Sequence, residues 1–381
     1  MRQFYILAKV NSIKKRILTL IDKLVSGKYW VIKTTLVVLL AALFMAFPSY
    51  ENFADSIYQG RALDVAQQIN DLRVFWKTSK ATKAVFRITV PLMAKALGLN
   101  TSPSWGRKYP SHIIIFTLTT LIIDREIKSR SGAFILTALI GFIYAGIAAF
   151  VELRSYYDAV AILFLIIAMW FRSPFIIGPA VLLACFTDER AVIAAGFVFV
   201  WWAIHNTIQQ KEHNIFINVR SFSVMIGLVL YLAARLILMR IYGIRSFTEA
   251  TGEFQLFNQI NNAPMGIWTA LEGGWFIVLL ALGTLWSKKR YLMFIVFSLL
   301  MILQITGALA VVDITRSMAY LLPALFVAVA ILEKETNDQL ESFYLLSTIV
   351  SIGWMTYYAG GKSSIWLFYP LPVQLIRWFF L

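Results

Sequence analysis

Charge is what this chain has least of, and that scarcity decides most of its reading. Charged residues make up 14% of the 381 positions and hydrophobic ones 59%, against about 25% charged in an ordinary soluble domain. A surface facing water on all sides is excluded. Cysteine is nearly absent: the single one, Cys185, lies in an apolar stretch, which rules out an internal disulfide framework and any CxxC metal or redox motif. His112, His205 and His213 are isolated from one another in the sequence, so spacing assembles no histidine-based metal site. The sequence also lacks an internal repeat, a low-complexity tract and a segregated soluble domain. Its first apolar block has no small-x-small cleavage pattern of a secretory signal.

What is present is a series of apolar blocks of about 15 to 22 residues, the length that crosses about 30 Å of hydrocarbon at 1.5 Å per residue. Unpaired backbone groups are costly in lipid, so these blocks are expected to be helices. The spans fall at 30–47, 111–123, 133–151, 158–171, 174–186, 191–205, 223–238, 274–286, 291–311, 318–332 and 343–358. A last segment, 365–381, is broken by Pro370 and Pro372 and reads either as a short twelfth span or as an interfacial tail. The fold class expected is all-α, a polytopic transmembrane bundle of about ten to twelve spans. Residues 30–381 form a single transmembrane domain in this reading.

The preceding segment, 1–29, carries Arg2, Lys9, Lys14, Lys15, Arg16, Lys23 and Lys28 beside Ile6, Val10, Ile13, Ile17, Leu20 and Leu24 at helical spacing. It reads as a cytoplasmic basic amphipathic helix along the inner membrane face. The net charge of +15 lies between apolar blocks rather than on a soluble domain. Membrane lipids and lipid phosphates, not nucleic acid, are the expected partners. With the N-terminus inside, the inner loops collect Arg125, Lys128, Arg130, Arg172, Lys211, Arg220, Lys288, Lys289, Arg290 and Lys334, as the positive-inside rule requires. The reading is an integral protein of a bacterial cytoplasmic (inner) membrane.

Two outer segments are long enough for structure of their own. Outer loop 48–110 contains Ala84 to Leu99, with Phe86, Val90, Met93 and Leu97 at helical spacing and Pro91 kinking or starting the helix; it is expected to be an interfacial helix. Outer loop 241–273 has mixed polarity and suits a loop over a cavity.

This orientation gathers acids at the outer ends of helices: Glu51 and Asp55 after the first span, Glu152 and Asp158 around the next outer turn, Asp188 and Glu189 in a tight turn, and Asp313 after the ninth span. Arg87, Arg154, Arg190 and Arg316 accompany them. A guanidinium clamps a phosphate through two hydrogen bonds, so carboxylates and arginines at one depth suit a reaction on a phosphate-linked lipid. A carboxylate can serve as general base toward an acceptor hydroxyl while the arginines stabilise the leaving phosphate. The plain alternative is that these are ordinary charges at helix ends, with Thr187 or Asp188 capping a helix and Arg190 merely paired. Arg235, inside the seventh span, is a functional candidate because a charge there is expensive; the alternative is snorkelling outward together with Arg240.

A first span followed by an acid-bearing outer loop (SYENFADSIY), an interfacial helix in that loop and a later outer turn carrying TDER together resemble the C-type (GT-C) polytopic glycosyltransferases. The string FRITVPLMAKALGL also resembles a stretch in uncharacterised bacterial relatives of that superfamily, and the likeness covers about residues 30–210. The resemblance implies an enzyme that moves a sugar from a polyprenyl-phosphate donor to a glycan or lipid acceptor on the non-cytoplasmic face, in cell-surface polysaccharide assembly. It implies that Asp55, or Glu51 as second choice, is the catalytic base. It implies that Asp188, Glu189 and Arg190, with Arg87 and Arg316 beside them, hold the lipid phosphate or a divalent metal such as Mg or Mn. The chain departs from the pattern because Glu51 and Asp55 are four residues apart rather than an adjacent pair. A polysaccharide polymerase or lipid-linked glycan flippase shares the membrane, the polyprenyl partner and the outer arginines. A secondary transporter would show paired, broken half-length segments and midplane charges, which the sequence does not display apart from Arg235.

Overall fold

The computed structural model describes residues 2–45, 65–78, 83–98, 104–151, 157–207, 218–243, 257–311, 313–336, 340–354, 358–360, 363–365 and 371–380. The helices are α1 (Arg2–Leu24), α2 (Trp30–Met45), α3 (Leu72–Thr78), α4 (Thr89–Ala96), α5 (Ser104–Ile127), α6 (Arg130–Phe142), α7 (Tyr144–Val151), α8 (Asp158–Trp170) and α9 (Pro174–Thr187). They continue with α10 (Ala191–Thr207), α11 (Val219–Tyr242), α12 (Ala263–Leu271), α13 (Gly274–Ser287), α14 (Tyr291–Leu309), α15 (Ile314–Met318), α16 (Leu322–Glu335), α17 (Glu341–Gly353) and α18 (Leu371–Phe380). A small antiparallel hairpin, β1 (Tyr358–Gly360) and β2 (Ser363–Ile365), precedes α18. The all-α bundle expected from the sequence is thus observed.

Among the described residues, three stretches are long and apolar enough to cross a membrane: Val219–Tyr242, Tyr291–Leu309 and Ile314–Glu335. The pair α12 and α13, bent by 85°, adds a fourth if it is one broken span. These helices associate the chain with a membrane. The count by this measure is lower than the ten to twelve spans expected, because several apolar blocks form helices of 13 to 17 residues, about 20 to 26 Å long. Block 133–151 is divided at Ile143 between α6 and α7. A Cβ on Gly146 would lie 1.9 Å from the Ile140 carbonyl oxygen, so the chain folds back too tightly there for a side chain. Near the end of the sequence, α18 has ten residues, about 15 Å; residues 366–370 and 381 lie outside the described residues, and both readings of 365–381 stand.

The core is organised around α16, whose residues Leu322 to Leu332 are all buried. It packs against α13, α10, α5 and α8. By contrast α11 and α14 lie at the edge, with Val229, Leu236, Ile237, Ile295 and Leu299 exposed, the pattern of helices that face lipid. The Asn218 side chain starts α11 by accepting the N–H groups of Arg220 and Ser221, and Gly243, at φ +63°, ends it. α9 and α11 approach closely because both carry glycine where they cross: a Cβ on Gly227 would lie 2.5 Å from the Gly178 carbonyl oxygen. Small residues at a crossing let two backbones touch without lipid or side chains between them.

The N-terminal segment forms α1, whose Ile17, Leu18 and Ile21 rest on the bundle while Ile13 and Leu20 are exposed. Ser131 at the start of α6 bonds the Asp22 carboxylate, and Lys33 of α2 donates to the carbonyls of Leu24 and Ser26. In the outer segment 48–110 the expected interfacial helix is α4, shorter than Ala84 to Leu99 and preceded by a 3-10 turn at Lys83–Phe86. Pro91 is its third residue, where no intrahelical N–H is needed. Its buried side is Val90, Pro91 and Ala94, whereas Met93 and Leu97 are exposed. Segment 241–273 departs from the expected loop: part of it is α12, joined to α13 through Glu272 and Gly273. A Cβ on Gly273 would lie 1.9 Å from the Ser347 carbonyl oxygen, and buried Glu272 takes φ +48°, a conformation that L residues rarely adopt.

Candidate functional site

The turn from Thr187 to Arg190 links α9 to α10 and does what a cap does. The Asp188 carboxylate accepts the backbone N–H of Arg190 at 3.1 Å, while the Thr187 hydroxyl donates back to the Leu183 carbonyl at 2.7 Å. The capping alternative therefore holds for Asp188, but the same carboxylate also enters a larger ionic array. It accepts from Arg190 Nε at 2.7 Å and Nη2 at 2.7 Å, and lies 3.0 Å from Arg87 Nη2. Arg87 comes from the short connection before α4, which the Thr89 hydroxyl pins to α9 through the Leu183 carbonyl at 2.9 Å. Its guanidinium holds Glu189 with two bonds, Nε at 3.2 Å and Nη2 at 2.9 Å.

At the centre stands Asp158, the first residue of α8, with no exposed surface. One oxygen accepts from Arg190 Nη2 at 2.6 Å and from the Tyr320 hydroxyl at 3.2 Å. The other accepts from Arg316 Nε at 2.9 Å. Arg316 also reaches Asp313 at 2.7 Å. Arg190 donates to the Ser317 hydroxyl at 3.2 Å and lies over the Tyr320 ring at 5.1 Å. Gln304 of α14 closes the edge by donating to the Ser317 carbonyl at 2.9 Å. Five of the seven site residues named from the sequence, Arg87, Asp188, Glu189, Arg190 and Arg316, are thus brought into one array. Glu51 and Asp55 lie outside the described residues.

Among the described residues, three guanidinium groups here face four carboxylates. Low-dielectric surroundings strengthen each contact and make any unpaired member costly, so the array behaves as a unit. Its openness is uneven. The side chains of Asp158, Asp188 and Arg316 are at most 5% exposed, whereas Glu189 reaches 38%, which makes the Arg87–Glu189 side the accessible edge. Burial pushes the Glu189 carboxyl up, but the charges of Arg87 and then Arg190 outweigh it and hold it at about 2. A carboxyl depressed from 4.5 adds stability that is complete above 4.5 and is lost as pH falls through about 2. The thermal midpoint of the wild type is therefore expected to fall over this acid range more steeply than that of Glu189→Gln. Parallel curves for the two proteins would refute this.

The array does not fit a divalent metal. Its carboxylates already accept from guanidinium groups, and among the described residues no group of three or more His, Cys, Asp or Glu is disposed to hold one. It also changes the role foreseen for the arginines, because Arg87, Arg190 and Arg316 each face a carboxylate rather than standing open to a phosphate. Asp158, which the sequence groups with the acids at outer helix ends without assigning it a role, is the centre of the array, and Ser317 and Tyr320 are members that sequence reasoning did not name. Asp158 had one usable signal, a lone acid opening the apolar helix DAVAILFLIIAMW.

A second ionic group lies at the other ends of α5 and α10. His205 sits 3.0 Å from both oxygens of Glu126 and places Nδ1 2.8 Å from the Trp201 carbonyl. His205 is therefore a tie between helices. Arg125 stacks on Trp170 nearby, 5.0 Å from its centroid.

Comparison with family models, curated proteins and solved structures finds no match.

Proposed function

We propose that this chain is a membrane glycosyltransferase that moves a sugar from a polyprenyl-phosphate donor to a glycan or lipid acceptor on the non-cytoplasmic face. The observation that carries the reading is the convergence of Arg87, Asp188, Glu189 and Arg190 with Asp158 and Arg316 on one buried array with an open edge. Concentrated charge at the boundary of an apolar bundle is expensive, which makes the array a functional-site candidate. In this reading the cytoplasmic membrane holds the protein with α1 on its inner side, and basic residues at the opposite ends of α5 and α16, such as Arg125 and Lys334, agree with that orientation.

In this reading the lipid phosphate displaces Glu189 from Arg87 at the open edge, so that one guanidinium meets the leaving group while the buried pairs stay closed. Asp55, or else Glu51, takes the acceptor's hydroxyl proton as the new glycosidic bond forms. The bond between the anomeric carbon and phosphate oxygen breaks, and the phosphate leaves with the electron pair. The test is transfer by purified protein, wild type against Asp55→Ala and Asp188→Asn. Full transfer by both folded variants would sink the assignment.

One observation favours a second reading, a lipid-linked glycan flippase. The 85° break between α12 and α13, with the buried carboxylate of Glu272 at the break, is the kind of discontinuous helix that lines transport paths.

A further inference from the structure

The arginines of the array are occupied by carboxylates, but Arg235 is not. It lies in α11, with Leu232, Leu236 and Ile237 around it exposed at the lipid-facing edge of the bundle. Among the described residues its contacts are uncharged: Nη1 donates to the Tyr231 hydroxyl at 2.9 Å, and its guanidinium lies 4.4 Å from the centroid of the Phe86 ring. Tyr231 is one turn back toward the middle of α11, so the head group is held along the helix rather than carried out to its end at Tyr242. That is the opposite of simple snorkelling.

Both holders belong to the wall of the array. Phe86 immediately precedes Arg87, and the Tyr231 ring meets Phe186 edge-on at 4.9 Å, two residues before Asp188. Glu189, which Arg87 holds, is the most exposed carboxylate of the array. Phe86 and Tyr231 thus hold Arg235 on the lipid-facing side of the wall that carries Arg87 and Asp188. Arg235 is about 10 Å of helix from Tyr242, close enough to the membrane boundary for a lipid headgroup to reach.

We infer that Arg235 is a lateral phosphate-receiving site, where the phosphate of a membrane lipid docks from the bilayer beside the Arg87–Glu189 edge. A cation at this depth with no carboxylate partner among the described residues gains from an anion that arrives on an acyl or prenyl chain. Its remaining guanidinium donors suit phosphate oxygens. The lipid is either a polyprenyl phosphate carrier or an ordinary anionic phospholipid. The site does not depend on transfer chemistry, because binding alone defines it.

The experiment is a native mass spectrometry titration of the full-length protein in detergent with a polyprenyl monophosphate, with phosphatidylglycerol and with uncharged polyprenol. Arg235→Gln is expected to weaken phosphate-lipid binding roughly tenfold, as loss of a charge-assisted contact does, and to leave polyprenol unchanged. A loss confined to polyprenyl monophosphate identifies the carrier, and a loss for both phosphate lipids identifies a general headgroup site. Arg235→Lys keeps the charge without the fork; it is expected to lose less and replaces the Gln variant if that does not fold. Unchanged affinity for both phosphate lipids, or an equal loss for polyprenol, overturns the inference. Sugar transfer measured on the same proteins keeps the two proposals apart. Arg235-dependent binding without transfer ends the transferase reading alone, and transfer with unchanged phosphate-lipid binding in Arg235→Gln ends this one alone.

Discussion

Asp158→Ala is expected to lower the thermal midpoint of the protein more than removal of any other acid in the array. The carboxylate is fully buried and accepts from Arg190, Arg316 and Tyr320 at once. Removing it leaves two guanidinium groups facing each other without their shared counter-charge. Breaking a buried ion pair from one side costs about 3–5 kcal/mol. Arg190 retains Asp188 and Arg316 retains Asp313, so the lower end of that range is the better expectation. Asp313→Ala is the comparison, because its side chain is 29% exposed and water can replace what it gives up. Thermal unfolding of both variants in one detergent decides the matter. Equal midpoints would mean that Asp158 does not hold the array together.

Asp188→Asn is expected to abolish sugar transfer while the protein still folds. The amide keeps the size of the side chain and can still accept the Arg190 backbone N–H, so the turn into α10 survives. What is lost is the negative charge shared by Arg87 and Arg190, and with it the fixed spacing of the two cations at the open edge. Asp55→Ala is expected to act differently, by removing a general base, a role that contributes about 10²- to 10⁴-fold. Rates from a polyprenyl-phosphate sugar, with size-exclusion profiles to verify folding, separate the two effects. Wild-type rates in both variants would remove the array from the reaction.

The helical bundle was legible in the sequence because hydropathy reports burial or lipid contact directly. The turn Asp188-Glu189-Arg190 was legible for the converse reason, as three charges in an otherwise apolar run. Two things were not. Hydropathy does not see where a block breaks, so it reports neither the fold-back at Ile143 nor the bend at Glu272, both set by close backbone approach at glycine. Nor does it reveal which helix ends meet: Asp158 and Arg316 lie far apart in the chain, and tertiary packing alone joins them. Residue type alone suggests a phosphate role for the arginines, whereas their partners depend on that packing.

The central claim is that the protein breaks a sugar–phosphate bond rather than carrying an intact lipid across the membrane. It is tested most directly in sealed proteoliposomes containing purified wild-type protein, a labelled polyprenyl-phosphate sugar and acceptor. The account expects free polyprenyl phosphate to appear with label on the acceptor, and neither to form with Asp188→Asn. Movement of the intact lipid-linked sugar to the other leaflet, with no bond broken, would contradict it.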